Sequence, residues 1–229
     1  MPKNVKTSDA KLVSAIMPVY NGEQFLAAAL DSVFAQDYEP FEVVVCDDGS
    51  TDGTAEILAR YPAVTVVRQQ NAGAAAARNA AVAASRGAYA AFFDADDLWP
   101  PNRLSLQAAH LVANPSIGCV LGRQEWMNPP PWLTRDAVYG DLDGIPLLSA
   151  MIRRSVFDAL GGFDPSFRVA EDTDLLIRMR QQKIELAILP DVVLYRRFHG
   201  ANLTADRSAP HSLVRSLRQK IERERGSTG

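Results

Sequence analysis

The sequence predicts an α/β protein, a mostly parallel sheet with helices on its faces. Short apolar runs alternate with segments of helical period in four successive strand–loop–helix units, and strands joined through helices run parallel. Two of the apolar runs break off at acidic loops, residues 47–54 and residues 94–97. In a parallel sheet both breaks fall on one edge. Hydrophobic residues make up 47% of the 229 and charged residues 22%, which is enough apolar material for a sizeable core.

Residues 13–19 form the first apolar run, closed by the turn Tyr20-Asn21-Gly22. Residues 23–34 then show helical spacing, with Phe25, Leu26, Leu30, Val33 and Phe34 on one side. Residues 41–46 are a second strand that stops at Asp47-Asp48-Gly49-Ser50. A short helix follows over 54–61, with Asp52 placed to cap it. Residues 64–67 are a third strand. The alanine-dense 73–85 is helical, with Gly87 as its stop. Residues 89–93 are a fourth strand, Pro100 and Pro101 introduce a helix over 103–112, and residues 117–121 are a fifth strand.

The second half is less regular. Residues 128–132 are a proline loop, and residues 139–146 are rich in glycine and aspartate. A strand is expected over 147–152, a helix over 155–160, a turn at Gly161-Gly162-Phe163-Asp164-Pro165 and a helix over 171–182. Two short strands, 184–189 and 192–196, and a charged amphipathic helix over 212–225 complete the chain. The expected organisation is a lead-in over 1–11, one domain over 12–205 and a terminal helix and tail over 206–229. The domain divides into an amino half, 12–125, and a carboxyl half, 126–205.

Charge and cysteine content narrow the function. A net charge of −3 and a pI near 5.6 argue against a nucleic-acid partner, which calls for a basic surface. Cys46 and Cys119 both sit in apolar runs without zinc-ligand spacing. They read as buried hydrophobes in a reducing compartment, a disulfide between them being the alternative. The first residues lack the apolar core of a signal peptide, and no apolar run approaches the roughly 18 residues that span a bilayer. The expectation is a cytoplasmic protein. The terminal helix offers a peripheral contact with an anionic membrane, or packs on the domain or a neighbouring subunit.

The chemistry gathers at Asp94-Ala95-Asp96-Asp97, three carboxylates in four residues at the end of an apolar strand. Carboxylates are costly to bury, so the strand delivers them to the carboxyl edge of the sheet, where open α/β sheets bind ligands. Two carboxylates one residue apart suit a hard divalent cation, Mg²⁺ or Mn²⁺. They serve equally as a solvated acidic turn. Asp48 ends the second strand as Asp94 ends the fourth, so the two can share a site despite their separation in sequence.

Six segments, in order, resemble family-two glycosyltransferases. They are Ala15-Ile16-Met17-Pro18-Val19-Tyr20-Asn21-Gly22, then Val43-Val44-Val45-Cys46-Asp47-Asp48-Gly49-Ser50-Thr51-Asp52-Gly53-Thr54, then Asn71-Ala72-Gly73 with Ala77-Arg78-Asn79, then Asp94-Ala95-Asp96-Asp97, then Gly161-Gly162-Phe163-Asp164, then Glu171-Asp172-Thr173-Asp174-Leu175. The resemblance runs from about Ser14 to about Asn202. It implies a GT-A fold, Rossmann-like with a mixed central sheet. It also implies inverting transfer of a sugar from a nucleoside diphosphate, UDP by the family's leaning, to a glycan or lipid-linked acceptor.

By the same resemblance Pro18, Val19, Tyr20, Asn21, Asp48, Arg78, Asp94 and Ala95 contact the nucleotide sugar. Asp96, with Asp94 and His199, holds the metal. Asp172 is the base that takes the acceptor proton, with Glu171 as the alternative. Each role has a plainer counterpart: core packing for Tyr20, an ion pair for Arg78, a solvated loop for His199 and helix-dipole charges for Glu171 and Asp172. Asp174 with Arg178 at i+4 reads as a structural ion pair. Trp99 packs beside the metal loop, while Trp126 and Trp132 offer faces for a sugar. A nucleotidyltransferase on a related sheet and a non-catalytic nucleotide-sugar binding module are the alternative functions. Against the first, the loop after the first strand, Tyr20-Asn21-Gly22-Glu23, has no nearby lysine or arginine to cradle a triphosphate.

Overall fold

The structure is a computed structural model that describes residues 10–129, 147–167 and 170–199. Among these, the strands β1 (Val13–Val19), β2 (Phe41–Asp47), β3 (Val64–Arg68), β4 (Tyr89–Phe92), β5 (Ile117–Met127), β6 (Met151–Arg153) and β7 (Glu185–Arg197) form one sheet. Its order is β3-β2-β1-β4-β6-β5-β7. Neighbours are parallel except where β6 runs against β4 and β5. The helices are α1 (Leu26–Phe34), α2 (Thr54–Leu58), α3 (Ala74–Ala84), α4 (Arg103–Ala113), α5 (Arg154–Ala159) and α6 (Glu171–Gln181).

The two-residue period of the strands divides the core. Ala15, Met17 and Val19 of β1 face one side with Val43 and Val45 of β2, under Leu26, Leu30 and Val33 of α1 and Leu104 and Leu111 of α4. Ile16, Val44 and Cys46 face the other, under Ala75, Ala77 and Ala81 of α3, Phe157 of α5 and Leu175 and Met179 of α6. Buried on both faces, the central strands read as unbroken apolar runs, which is why the sequence shows them plainly. Cys46 and Cys119 are buried free thiols, and burial pushes the Cys46 thiol up to about 11.

Several boundaries differ from expectation. The helix expected from residue 23 begins at Leu26, because Phe25 and Leu26 donate back to Gly22 O in a turn and Glu23 is engaged elsewhere. The strand expected over 117–121 runs on to Met127, paired with β7. It therefore passes through the 125/126 boundary expected between the halves. The two short strands expected near the end are one strand, Glu185–Arg197, whose pairing with β5 shifts register and absorbs Pro190.

The strand expected over 147–152 divides into a 3-10 turn, Leu147–Ser149, and β6. Buried side chains of α4 replace the missing ladder. Arg103 Nη2 donates to Phe92 O (3.1 Å), Leu148 O (2.8 Å) and Ala150 O (3.3 Å). Gln107 Nε2 donates to Ser149 O (2.7 Å) and Val120 O (3.1 Å). Residues 1–9 of the expected 1–11 lead-in, Trp132, the 139–146 stretch and the terminal 206–229 lie outside the described residues.

Candidate active site

Three parallel strands end level with one another, since Val19 is opposite Asp47 and Asp47 is opposite Arg68. The residues that follow, Tyr20, Asp48 and Gln69, therefore stand in a row on the carboxyl edge. β4 stops at Phe92, opposite Ile16, so the acidic loop starts alongside the end of β1. A Cβ on Gly22 would lie 3.7 Å from Ala95 Cβ, which places Ala95 against that turn.

Pro18 and Val19 are the last residues of β1. Tyr20 is 54% exposed, and Asn21 takes a left-handed φ of 52°. The Asn21 N–H donates to Ser50 Oγ (2.9 Å), and Asn21 Oδ1 accepts from Thr51 N (2.9 Å). Gly22 N donates to Thr54 Oγ1 (2.9 Å), and Glu23 Oε2 accepts from Gly53 N (3.1 Å). These bonds fasten the first two loops together. Asp52 accepts from Thr54 N (3.1 Å) at the start of α2 and from Glu23 N (3.0 Å). Asp47 accepts from Ser50 N (2.9 Å) and serves the turn.

Asp48 is 3% exposed. Its Oδ1 accepts from Gln69 Nε2 (2.7 Å) and Ala72 N (2.9 Å), and its Oδ2 accepts from Gly73 N (2.9 Å). The carboxylate thus pins the loop that leads into α3.

Asp94, Asp96 and Asp97 bring one oxygen each within 4.8 Å of the others. Asp96 Oδ2 lies 2.8 Å from His199 Nε2. The His199 ring stacks on Phe25 at 4.7 Å, and Arg197 lies over the other partner of that stack, its guanidinium 4.9 Å from the Phe25 centroid. Arg197 Nε donates to Asp96 O (3.1 Å) and Arg197 N to Asp97 Oδ1 (3.0 Å). The end of β7 therefore closes over the acidic loop.

Burial, then the charge of Asp94, lifts the Asp96 carboxyl above its usual range, with His199 opposing. Asp97 is 2% exposed. Burial and Asp96 push its carboxyl up to about 8, and its Oδ2 accepts no hydrogen bond, Arg196 Nε being 3.8 Å away. Asp94, Asp96 and Asp97 form an oxygen donor set of the kind that fits a hard divalent cation.

Arg78, 4% exposed, joins this loop to the start of α6. Its Nη2 donates to Asp94 Oδ1 (2.6 Å) and its Nη1 to Glu171 Oε1 (2.5 Å). Burial disfavours the guanidinium charge, but Asp94 and Glu171 outweigh it and hold Arg78 charged. Burial lifts the Glu171 carboxyl, and Arg78 opposes that lift. Asn79, next on α3, donates Nδ2 to Phe163 O (2.8 Å) and accepts from Phe163 N (2.9 Å). Asp172 is half-buried, and its Oδ1 accepts from Thr173 N (2.7 Å). Asp174 pairs with Arg178 at 2.7 Å, and Arg178 donates to Leu160 O and Gly162 O, holding the double-glycine turn.

Arg78 thus pairs with both Glu171 and Asp94, whereas Asp172 has only a local partner, Thr173, among the described residues. Arg196 lies 4.6 Å over the Trp126 ring and covers one of its faces. Trp99 is buried under Arg103, at 4.1 Å. Sequence reasoning missed Gln69 and the clamp made by Asn79. Gln69 gave one usable signal, its place directly after a strand, as with Asp48 and Tyr20.

The sequence family described as glycosyl transferase family 2 matches residues 14–169. A relative from Escherichia coli is UDP-Glc:alpha-D-GlcNAc-diphosphoundecaprenol beta-1,3-glucosyltransferase WfgD. It is 37% identical over 123 residues, which are 52% of this chain and 48% of that protein. The chain spans about half the length of the curated relatives it matches first. The structure of S. aureus TarS with UDP superposes with a TM-score of 0.68 at 25% identity, covering 81% of this chain and 60% of TarS. Mannosyltransferase PcManGT from Pyrobaculum calidifontis, in complex with GDP-Man and Mn²⁺, gives 0.71 at 26% identity, covering 93% of this chain and 65% of that one. The sheet and its helices are those of the GT-A fold.

Proposed function

The chain belongs to glycosyl transferase family 2, and from that premise we propose that it transfers a sugar from a UDP-sugar to an acceptor hydroxyl, with inversion and with a divalent cation. The observation that carries this reading is the Arg78 bridge. It joins Asp94, on the carboxylate loop, to Glu171, the neighbour of Asp172, which has no such ion pair among the described residues. Donor and acceptor chemistry thereby meet at one sheet edge within one catalytic unit.

Tyr20 and Asp48 take the nucleoside, and the diphosphate lies towards Asp94 and Asp96. Asp96 and Asp94, with His199 beside them, would hold Mn²⁺ or Mg²⁺. When bound, the cation offsets the negative charge that grows on the departing diphosphate. Asp172 accepts the proton of the acceptor hydroxyl as its oxygen bonds to the anomeric carbon from the face opposite the diphosphate, and the bond from that carbon to the phosphate oxygen breaks. Arg78 keeps Asp94 and Glu171 in place, which leaves Asp172 as the base. The name of the E. coli relative, with its diphosphoundecaprenol-linked acceptor, supports a lipid-linked glycan as acceptor. The chain would meet it at the cytoplasmic face of the membrane. No helix among the described residues is long and apolar enough to cross a membrane.

The test is donor turnover with a panel of UDP-sugars and Mn²⁺. Asp96→Ala is expected to abolish metal-dependent turnover. Asp172→Asn is expected to leave UDP affinity intact and remove transfer. Transfer at the wild-type rate in Asp96→Ala would overturn the metal assignment. Parallel loss of binding and transfer in Asp172→Asn would make that residue structural.

A further inference from the structure

We propose that Gln69 is a specificity-determining residue for the nucleobase: its side-chain amide donates to the base carbonyl that adjoins the N–H accepted by Asp48. The inference rests on the reading above that Asp48 marks the nucleoside end of the site.

The strand order places Gln69 there. Along the carboxyl edge the residues after β3, β2 and β1 are Gln69, Asp48 and Tyr20, with the carboxylate loop after β4. The diphosphate end is fixed by the carboxylates, so the base end lies outward, towards β3. Gln69 is the side chain beyond Asp48 in that direction.

Its contacts show which group would give way to a ligand. Asp48 is buried beneath three donors. Two are backbone N–H groups, Ala72 and Gly73, held by the approach to α3. The third is the Gln69 side chain, and it alone turns aside by rotating bonds. The Gln69 backbone stays in place because its N–H donates to Asp47 O (3.1 Å). The backbone of 69–71 also lies hard against Gly49, where a Cβ would come within 3.0 Å of Asn71 N and 3.3 Å of Gln69 O. The amide is therefore anchored within reach of Asp48 and free to swing.

The chemistry follows from the pair. Asp48 offers an acceptor and Gln69 Nε2 a donor, side by side. Uracil presents the complement at N3–H and its C4 carbonyl, and guanine at N1–H and its C6 carbonyl. Cytosine presents the reverse, a ring-nitrogen acceptor beside an amino donor, and leaves both protein groups facing their like. A site built to hydrogen-bond one edge rejects the reversed edge because its polar groups are then unpaired.

Calorimetric titration of the full chain with UDP, GDP and CDP, each with Mn²⁺, tests this. Wild type should bind UDP or GDP more tightly than CDP, and the tighter of the two identifies the base. Gln69→Ala should weaken that nucleotide about fivefold, the worth of one hydrogen bond, and leave CDP unchanged. Gln69→Glu, of nearly the same size, should weaken it further by setting a second carboxylate against the base carbonyl. Equal losses for all three nucleotides would mean that Gln69 merely stiffens its loop, and unchanged affinities would mean that it does not touch the base. Either result overturns the inference and leaves the donor site standing. If wild type binds none of the three, the donor site itself falls.

Discussion

Arg78 has one guanidinium for two carboxylates that lie 16 and 93 residues away in sequence. A planar fork spans both at once; an ammonium is a point charge and reaches one well. Arg78→Met would leave buried Glu171 and half-buried Asp94 without their shared partner, and breaking a pair buried on one side is expected to cost up to about 3 kcal/mol. Thermal melts should show that loss. Arg78→Lys should melt between the two and lose kcat at least about tenfold while UDP affinity changes little, since the lysine holds only one of the two carboxylates. A lysine variant with wild-type kcat would mean that the second contact is dispensable. At this scale the sequence reveals carboxylates that end strands or start helices, because charge beside an apolar run is conspicuous. Asp94, Asp96 and Asp172 are of that kind. It does not reveal which carboxylates are consumed by partners. Glu171 and Asp172 are adjacent in the chain, and only the fold shows that Glu171 meets Arg78 and that Asp172 does not. Gln69 carries no charge and sits in no acidic or glycine-rich motif, so its place directly after a strand is the one signal it gives.

Among the elements, β1, β2 and β4 were legible because each is buried on both faces, and the helices that follow them show their period. The β6 region was not. Its ladder is completed by Arg103 and Gln107, polar side chains that helical periodicity assigns to a surface and that the structure buries completely. The same kind of tie joins β1, β2 and β4. Gly87 N donates to Ser14 Oγ (2.9 Å), Ser14 Oγ donates to Glu42 Oε1 (2.7 Å), and Arg86 N donates to that same oxygen (2.5 Å). Burial works to raise the Glu42 carboxyl, yet the Arg86 backbone N–H and the Ser14 hydroxyl outweigh it and hold the group below its ordinary value of 4.5. A carboxyl depressed by folding contributes stability above its unfolded pKa and loses it as pH falls through the folded value. Wild type should therefore exceed Glu42→Gln in stability by ~1.5 kcal/mol at pH 7, the worth of a hydrogen bond to a charged group. The gap should close as the pH drops below the ordinary glutamate range. Urea melts across that range check it, and a gap that does not vary with pH would remove the ionised carboxylate from the account. The Arg86 side chain, 80% exposed, should add little.

For the molecule as a whole, the collected carboxylates are a destabilising feature that a bound cation would relieve. A ligand that binds only the folded state stabilises it by about 2.7 kcal/mol at a hundredfold excess over its Kd. For a chain of this size that is a rise in Tm of roughly 5–10 °C. Mn²⁺ should produce such a rise by calorimetry, and Asp96→Ala should abolish it. An equal rise in both proteins would place the ion elsewhere. The overall architecture was legible from strand–helix alternation; the joining of the halves was not, since β5 and β7 pair over a length that exceeds the apolar runs that announce them. The Arg78 bridge has a consequence at this scale. Because one side chain grips both the carboxylate loop and the start of α6, the proposed donor and acceptor sites are joined through it. If donor binding shifts Asp94, Arg78 would carry the shift to Glu171, and by reciprocal linkage the acceptor would alter donor affinity by the same factor by which the donor alters acceptor affinity. Under the proposed function, any coupling between donor and acceptor binding is therefore expected to weaken in Arg78→Lys.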